Sequence, residues 1–163
     1  MKTILFIRHA KSDWGFADLT DIDRPLNKRG KRDAPEMGIR LAEMNTKPEI
    51  IYRSPSLRTT QTIDLLTTTA QWLDVKIEEE HWLYHASTHD YLTGIEKVKA
   101  EHDVICLCAH NPGITDIVNY LSGEYIANMP TCAIALIEFE INDWKEVSGG
   151  TGKLLHYDFP KNT

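Results

Sequence analysis

Short apolar runs alternate with stretches of helical periodicity along the whole chain. Residues 4–7, 50–52 and 104–108 form compact apolar runs rich in β-branched side chains, which is typical of strands buried on both faces. Between these runs, apolar residues recur three and four positions apart, as in Ile114, Ile117, Val118 and Leu121, and this spacing predicts amphipathic helices. The alternation predicts an α/β fold, a three-layer sandwich with a mostly parallel central sheet and helices on both faces.

The remaining patterns extend this layout. Residues 75–77 and the alternating stretch 132–141 predict two further strands, residues 154–159 predict an edge strand, and the spacing of Tyr91, Ile95 and Val98 predicts another helix. Pro35 falls inside the helical pattern of residues 28–44, and proline disrupts a helix interior. We therefore expect a short turn after Asn27 and a main helix that begins near Asp33, with Pro35 in its first turn.

Composition narrows the class of protein. The chain has 163 residues, 42% hydrophobic and 26% charged, which is ordinary for a folded protein and predicts one domain over residues 1–163. A net charge of −6 disfavours binding to nucleic acid or to an anionic membrane surface. The apolar run at residues 3–7 is too short for a signal peptide or a membrane span, and the three cysteines match neither a disulfide framework nor a zinc site. We expect a cytoplasmic protein.

Candidate chemistry follows three of the predicted strands. Arg8-His9 comes after the first, residues 53–58 with Arg58 come after the second, and His110-Asn111 come after the third. Ligands bind beyond the carboxyl ends of parallel strands, so we expect two histidines and at least two arginines to meet at one rim of the sheet.

Two of these segments also predict helix starts. Ser54-Pro55 and Asn111-Pro112 each place a good N-cap residue before a proline at the first helical position. Helix N-termini attract anions, and arginine binds phosphate oxygens through paired hydrogen bonds. The predicted ligand is therefore a phosphoryl group, because a carboxylate would not need so many donors.

Five segments resemble the histidine phosphatase superfamily, which has the phosphoglycerate-mutase-like fold. They are residues 5–12, 24–30, 54–62, 83–86 and 110–113, and the strand at residues 132–139 continues the pattern. Within the superfamily, the chain is most similar to the short SixA-type phosphohistidine phosphatases. The resemblance covers most of the chain and implies a domain without a large cap.

The resemblance implies a role for each matching residue. His9 would be the nucleophile that is transiently phosphorylated, while Arg8, Arg58 and a protonated His110 would form the phosphate pocket; a neutral imidazole is a competent nucleophile near pH 7. Water would then hydrolyse phospho-His9. Further candidates for contacting the substrate are Asn111, Lys11 and His85. No metal or other cofactor is expected, because the arginines supply the positive charge.

One departure from the family bears on the substrate. Larger members that cleave phosphate esters carry a carboxylate after the third strand, which protonates the leaving group, whereas here that place falls near Trp82, beside Glu80 and His81. A phosphoramidate such as phosphohistidine loses imidazole without a strong external acid. The short stretch between Leu73 and Tyr91 also leaves no room for a large lid. We therefore expect the substrate to be phosphohistidine on the surface of a protein.

Two alternatives remain open. The chain could hydrolyse a small phosphate ester, with Glu80, His81 or His85 as the acid, or it could be a catalytically silent phosphate-binding module. The four-residue spacing of His81, His85 and His89 permits a metal site, but no His-Glu-x-x-His pattern accompanies it and we expect loop histidines. The four tryptophans are interpreted as core or rim packing residues.

Overall fold

The computed structural model describes residues 1–162, which form six strands and four α-helices around one mixed sheet. The strands are β1 (Lys2–Arg8), β2 (Ile50–Arg53), β3 (Lys76–Glu79), β4 (Val104–Ala109), β5 (Ile134–Phe139) and β6 (Gly152–Asp158). The helices are α1 (Lys28–Glu43), α2 (Leu57–Ala70), α3 (Thr88–Glu96) and α4 (Gly113–Ser122). The structure confirms every strand and helix that the patterns predict, with shifts at their ends.

The strand order places three of the predicted site segments side by side. The order is β3-β2-β4-β1-β5-β6, in which β3, β2, β4 and β1 are parallel, β5 is antiparallel to β1 and β6 is antiparallel to β5. The carboxyl ends of β2, β4 and β1 therefore meet at one edge of the sheet. This confirms the predicted α/β fold with a mostly parallel sheet, and β6 is an edge strand as expected.

Two apolar cores hold helices on opposite faces of the sheet. On one face, α1 and α2 bury Met37, Leu41, Ile63 and Leu66 against the sheet. On the other face, α3 and α4 contribute a second buried cluster that includes Tyr91, Ile95, Ile117 and Leu121. The β3–α3 connection consists only of residues 80–87, so it carries no cap. The three-layer arrangement is as predicted, while one domain over residues 1–163 stays a prediction.

Helix α1 begins at Lys28, so the prediction of a start near Asp33 was wrong. The side chain of Asn27 accepts a hydrogen bond from the Gly30 N–H at 2.9 Å and caps the helix there. Pro35 lies inside the helix, where it leaves the carbonyl of Lys31 without its usual partner. Lys31 is exposed, so water can bind that carbonyl while the apolar face of the helix stays buried.

The predicted caps of α2 and α4 were also wrong. Helix α2 begins at Leu57 and is capped by Ser56, whereas α4 begins at Gly113 after Pro112. The Ser54 hydroxyl lies 2.7 Å from Nε2 of His110, and the Asn111 amide donates to the Met129 carbonyl. Both side chains make tertiary hydrogen bonds, and neither Ser54 nor Asn111 is the N-cap residue of the helix that follows it.

The loop after β1 returns to the start of α1 and pairs with it. Asp13 N–H donates to the Pro25 carbonyl at 2.8 Å, and Asn27 N–H donates to the Lys11 carbonyl at 3.0 Å. A Cβ atom at Gly30 would lie 2.2 Å from that Lys11 carbonyl oxygen, so only glycine permits this close approach. The base of the loop is therefore fixed, and residues 14–20 leave it toward solvent.

Among the residues that the structure describes, no helix combines the length and the apolar character needed to cross a membrane. The cytoplasmic location stays a prediction.

Candidate functional site

A cavity of about 310 Å³ opens at the carboxyl ends of β1, β2 and β4. All four residues predicted to carry the chemistry line it: Arg8 ends β1, His9 follows it, Arg58 lies in the first turn of α2 and His110 follows β4. The remaining lining residues are Lys11, Ser12, Trp14, Asp21, Arg24, His85, Asn111 and Thr131. Four cationic side chains and one carboxylate give this cavity a positive character in a chain whose net charge is −6.

His9 is held with one ring nitrogen bonded and the other free. Nδ1 lies 2.7 Å from the Ala10 carbonyl oxygen, and since a carbonyl only accepts, Nδ1 carries the proton and donates it. Nε2 then bears the lone pair. Burial lowers the pKa of His9 well below its usual value, against the raising effect of the Ala10 carbonyl, and the nearby Arg58 and Arg8 charges lower it further. His9 is therefore a neutral imidazole with a nucleophilic Nε2.

His110 is also neutral in this structure, contrary to the expectation of a protonated side chain. Its Nδ1 lies 3.2 Å from Nη2 of Arg58, and a guanidinium only donates, so Nδ1 must be unprotonated. Nε2 carries the proton and donates it to the Ser54 hydroxyl at 2.7 Å. Burial, followed by the Arg58 charge, lowers the pKa of His110 to about 3. The ring centroids of His9 and His110 are 5.2 Å apart.

Both predicted arginines are anchored and still have donors to offer. Arg8 donates from Nη1 to the Met129 carbonyl at 2.8 Å, and Arg58 donates from Nη1 to the Asp21 carbonyl at 2.6 Å. Among the described residues, the buried Nε atoms of Arg8 and Arg58 have no hydrogen-bond partner. Unsatisfied buried donors are costly, and an anion in the cavity is a ligand suited to accept from them.

Asp21 organises this cluster, and sequence reasoning missed it. One carboxylate oxygen accepts from Nη2 of Arg58 at 3.0 Å and from the Tyr84 hydroxyl, while the other accepts two hydrogen bonds from Arg24 at 3.1 and 3.2 Å. Desolvation opposes its ionisation, but the hydrogen bonds from Tyr84 and Arg58 outweigh it and hold the pKa well below the usual range. Asp21 is thus ionised. Its one sequence signal is its position three residues before Arg24, inside a charged stretch.

The three further predicted contacts differ in character. Asn111 lines the cavity, but its amide donates to Asn128 Oδ1 and the Met129 carbonyl, and its oxygen accepts from Thr115 at 2.6 Å. It therefore holds the loop that also anchors Arg8. Lys11 lines the cavity, and His85 lines it with its ring stacked on Tyr84 at a centroid distance of 4.0 Å.

The other predicted acids are not among the residues that line this cavity. Glu80 lines a separate groove together with Tyr52 and Trp82, and His81 is an exposed residue of the short turn that precedes α3. Within residues 1–162, no group of three or more His, Cys, Asp or Glu side chains is arranged to hold a metal ion. Trp72 and Trp144 are core residues, as predicted, whereas Trp14 is 72% exposed at the cavity.

A family model and two known proteins are similar to this chain in sequence. Residues 4–81 match the family described as the histidine phosphatase superfamily (branch 1). An uncharacterised chloroplastic protein from Arabidopsis thaliana is 27% identical over 159 residues, which are 93% of this chain and 72% of that protein. A 2,3-bisphosphoglycerate-dependent phosphoglycerate mutase from Mycobacterium leprae is 31% identical over 97 residues, which are 58% of this chain and only 39% of the mutase.

Solved structures with the same fold cover nearly the whole chain. The protein histidine phosphatase SixA in complex with tungstate has a TM-score of 0.83 at 22% identity, with 98% of each chain covered. A SixA structure from Agrobacterium tumefaciens has a TM-score of 0.84 at 22% identity, also with 98% of each chain covered. A phosphoglycerate mutase from Bacillus anthracis has a TM-score of 0.70 at 15% identity and covers 90% of this chain and 95% of its own. The predicted phosphoglycerate-mutase-like fold is confirmed.

Proposed function

We propose that this chain is a member of the histidine phosphatase superfamily, whose family model matches residues 4–81, and that it hydrolyses phosphohistidine in proteins through a phosphoryl group carried transiently on His9. The observation that carries the proposal is the state of His9: a neutral imidazole whose Nδ1–H is bonded to a carbonyl and whose Nε2 is free beside two anchored arginines. A module that only bound phosphate would have no need of a nucleophile prepared in this way.

In the first step, Nε2 of His9 attacks phosphorus in line with the bond to the leaving group. A P–Nε2 bond forms, the substrate's P–N bond breaks, and its electron pair returns to the substrate nitrogen. If the other nitrogen of the substrate ring already carries a proton, the ring leaves as neutral imidazole. The His9 ring becomes the cation, with its Nδ1–H still donating to the Ala10 carbonyl. Arg8 and Arg58 stabilise the charge on the phosphoryl oxygens.

In the second step, water attacks the same phosphorus. A P–O bond forms, the P–Nε2 bond breaks, and the electron pair returns to Nε2 of His9. Both protons of the water stay on the product, which leaves as dihydrogen phosphate. His9 is again neutral, with its proton on Nδ1, and the chain is ready for another turnover.

The cavity offers no carboxylic acid to a leaving group, and this supports a P–N substrate. Asp21 supplies the only carboxylate among the lining residues, and its pKa is held well below the usual range, so it has no proton to give. Glu80 lines a different groove. An alkoxide leaving from an ester would need a proton from the protein, whereas a protonated phosphoimidazole brings its own.

The surroundings of the cavity suit a substrate that belongs to another protein. The connection between β3 and α3 consists only of residues 80–87, which is too short to form a large lid over the cavity. The names of the SixA structures with this fold point to the same substrate class. We propose that the reaction needs no metal, because four cationic side chains line the cavity in which the phosphoryl group would bind.

Hydrolysis of two substrates by the native chain and two variants tests the proposal. A phosphohistidine-bearing protein is compared with p-nitrophenyl phosphate in metal-chelated buffer, using the native chain, His9→Ala, and His89→Ala as the control at an exposed histidine of α3. We expect faster turnover of the P–N substrate, loss of all activity in His9→Ala, and native activity in His89→Ala. A radiolabelled phosphoryl group should be trapped on the native chain and be absent from His9→Ala; failure to trap it would favour the binding module.

The alternative function, hydrolysis of a small phosphate ester, now depends on one candidate acid. His85 is the only one of the three candidate acids that lines the cavity. If it donates a proton to an ester's leaving group, the pH–rate profile for an alkyl phosphate, whose alkoxide needs a proton in order to leave, has a basic limb that His85→Gln removes. Activity confined to the ester, with that limb, would replace the phosphohistidine proposal.

A further inference from the structure

Trp14 is an exposed aromatic residue at the edge of the reactive cavity. Its side chain is 72% exposed, yet it lines the same cavity as His9 and Arg58. A tryptophan has a large apolar surface, and burying that surface is favourable. An exposed tryptophan beside a reactive site therefore contributes binding free energy when a ligand covers it. The core tryptophans Trp72 and Trp144 show no such exposure.

The Trp14 ring packs with one face on the side chain of Arg24. The Arg24 guanidinium lies 3.5 Å from the ring centroid, which is a cation–π contact. Arg24 is itself buried and donates to Asp21 and, at 2.8 Å, to the Ser12 hydroxyl. One face of the ring is thus covered by a fixed cation, and its exposed area comes from its edges and its other face.

The backbone on either side of Trp14 is also fixed. The Asp13 N–H donates to the Pro25 carbonyl at 2.8 Å, and the Asp13 side chain accepts from the Gly15 N–H at 2.7 Å. Trp14 therefore directly follows a hydrogen-bonded residue and lies in a tight turn that the Asp13 side chain stabilises. A ring positioned in advance loses little conformational entropy when a ligand stacks on it.

The direction of the reaction brings the leaving group to this side of the cavity. Of the cavity's lining residues, His9 is only 7% exposed and Trp14 is 72% exposed, so His9 lies toward the buried end of the cavity and Trp14 toward its mouth. In-line transfer puts the leaving group on the opposite side of phosphorus, toward the open mouth where Trp14 lies. An imidazole is flat and aromatic, and it can stack on an indole.

We propose that Trp14 is a specificity-determining residue whose free face stacks on the ring of the leaving group, so that the site prefers phosphoryl groups bonded to a planar aromatic ring. The inference rests on the proposed function and names the part of the substrate that the site recognises. Arginine and histidine side chains bind the phosphoryl group whatever its leaving group, whereas Trp14 distinguishes a ring from a simple amine.

The test compares two P–N substrates that differ in the ring. Steady-state kinetics are measured on a phosphohistidine peptide and on phosphoramidate, whose leaving group is ammonia, for the native chain, Trp14→Ala, Trp14→Phe and Phe16→Ala. Phe16 is a matched control, since it is aromatic, 48% exposed and on the same loop but does not line the cavity. We expect Trp14→Ala to raise KM for the peptide by about three- to tenfold and to leave phosphoramidate within about twofold of native. Trp14→Phe should keep most of the preference, and Phe16→Ala should match the native chain on both.

Four outcomes would overturn the inference. Equal losses on both substrates in Trp14→Ala would show that the ring acts only by holding Arg24. Equal losses on the peptide in Trp14→Ala and Phe16→Ala would show a general apolar contact with the loop. Turnover of both substrates that is unchanged in Trp14→Ala would exclude the stacking role of Trp14 and leave the phosphatase proposal intact. A native chain that is inactive on both substrates would overturn the phosphatase proposal and this inference together.

Discussion

In phosphate-free buffer, acidification should destabilise the protein through its buried neutral histidines, and replacing His110 measures the contribution of one of them. His110 is 7% exposed, accepts from Arg58 at Nδ1 and donates from Nε2, and its pKa is lowered to about 3. The unfolded chain binds a proton at this histidine near pH 6.5, whereas the folded chain does not. The free energy of unfolding must therefore fall as the pH drops below about 6.5, and it continues to fall until the pH approaches the folded pKa.

The size of the effect follows from proton linkage. Each histidine that is protonated only in the unfolded state contributes a slope of about 1.4 kcal/mol per pH unit, so between pH 7 and pH 5 His110 alone should cost about 2 kcal/mol. This figure hardly depends on the folded pKa, provided that it stays below about 4. His9 also has a lowered pKa and adds its own loss, but it does so equally in the native chain and in a variant that lacks His110.

Urea unfolding at pH 7, 6 and 5 in phosphate-free buffer measures the effect in the native chain, His110→Gln and the control His89→Gln. We expect His110→Gln to lose about 2 kcal/mol less than the native chain over this range and His89→Gln to follow the native chain. Parallel losses in the native chain and His110→Gln would refute the reasoning, because they would mean that His110 is already protonated in the folded protein.

Two other predictions concern the residues that hold the site. Ser54→Ala leaves the Nε2–H of His110 without its acceptor, so we expect a loss of about 1–3 kcal/mol in unfolding free energy and a kcat lowered by roughly tenfold. The control Ser56→Ala removes a helix cap outside the cavity and should destabilise by about 1 kcal/mol with native kcat. Equal kcat losses in the two variants would contradict the role of Ser54 in positioning His110. Asp21→Asn removes a charge whose side chain is 42% exposed, so we expect a loss of about 1 kcal/mol at pH 7. Because the pKa of Asp21 is lowered on folding, that loss should be present above about pH 4 and disappear as the pH falls further; urea unfolding at pH 7 and pH 3 checks it.

The sequence predicted which residues meet at the candidate site because local patterns show where the strands end. Each apolar run ends where the polar residues begin, and the parallel arrangement brings Arg8, His9, Arg58 and His110 to one edge whatever the details of the loops. Strand identity depends on burial alone, and burial leaves a strong signal in the order of apolar residues.

Features that depend on contacts distant along the chain could not be predicted in this way. Ser54 and Asn111 have the sequence context of helix caps, but tertiary partners use their side chains instead. Asp21 meets Arg58 across 37 residues and Tyr84 across 63. The protonation of His110 depends on how deeply it is buried and on which atoms of Arg58 face it, and neither property has a local pattern.

The neutral His110 of the structure and the protonated His110 expected from the resemblance fit two stages of one reaction. Burial and the Arg58 charge disfavour a proton on His110. A phosphoryl dianion beside Arg8 and Arg58 offsets those charges, so binding should raise the pKa of His110 and favour proton uptake. A protonated ring has no lone pair at Nδ1, so it must release Nη2 of Arg58, which then becomes available to the phosphoryl oxygens. Between pH 7 and pH 5, added phosphate should accordingly shrink the extra loss of unfolding free energy that the native chain shows relative to His110→Gln. An unchanged extra loss would mean that His110 stays neutral when the anion is bound.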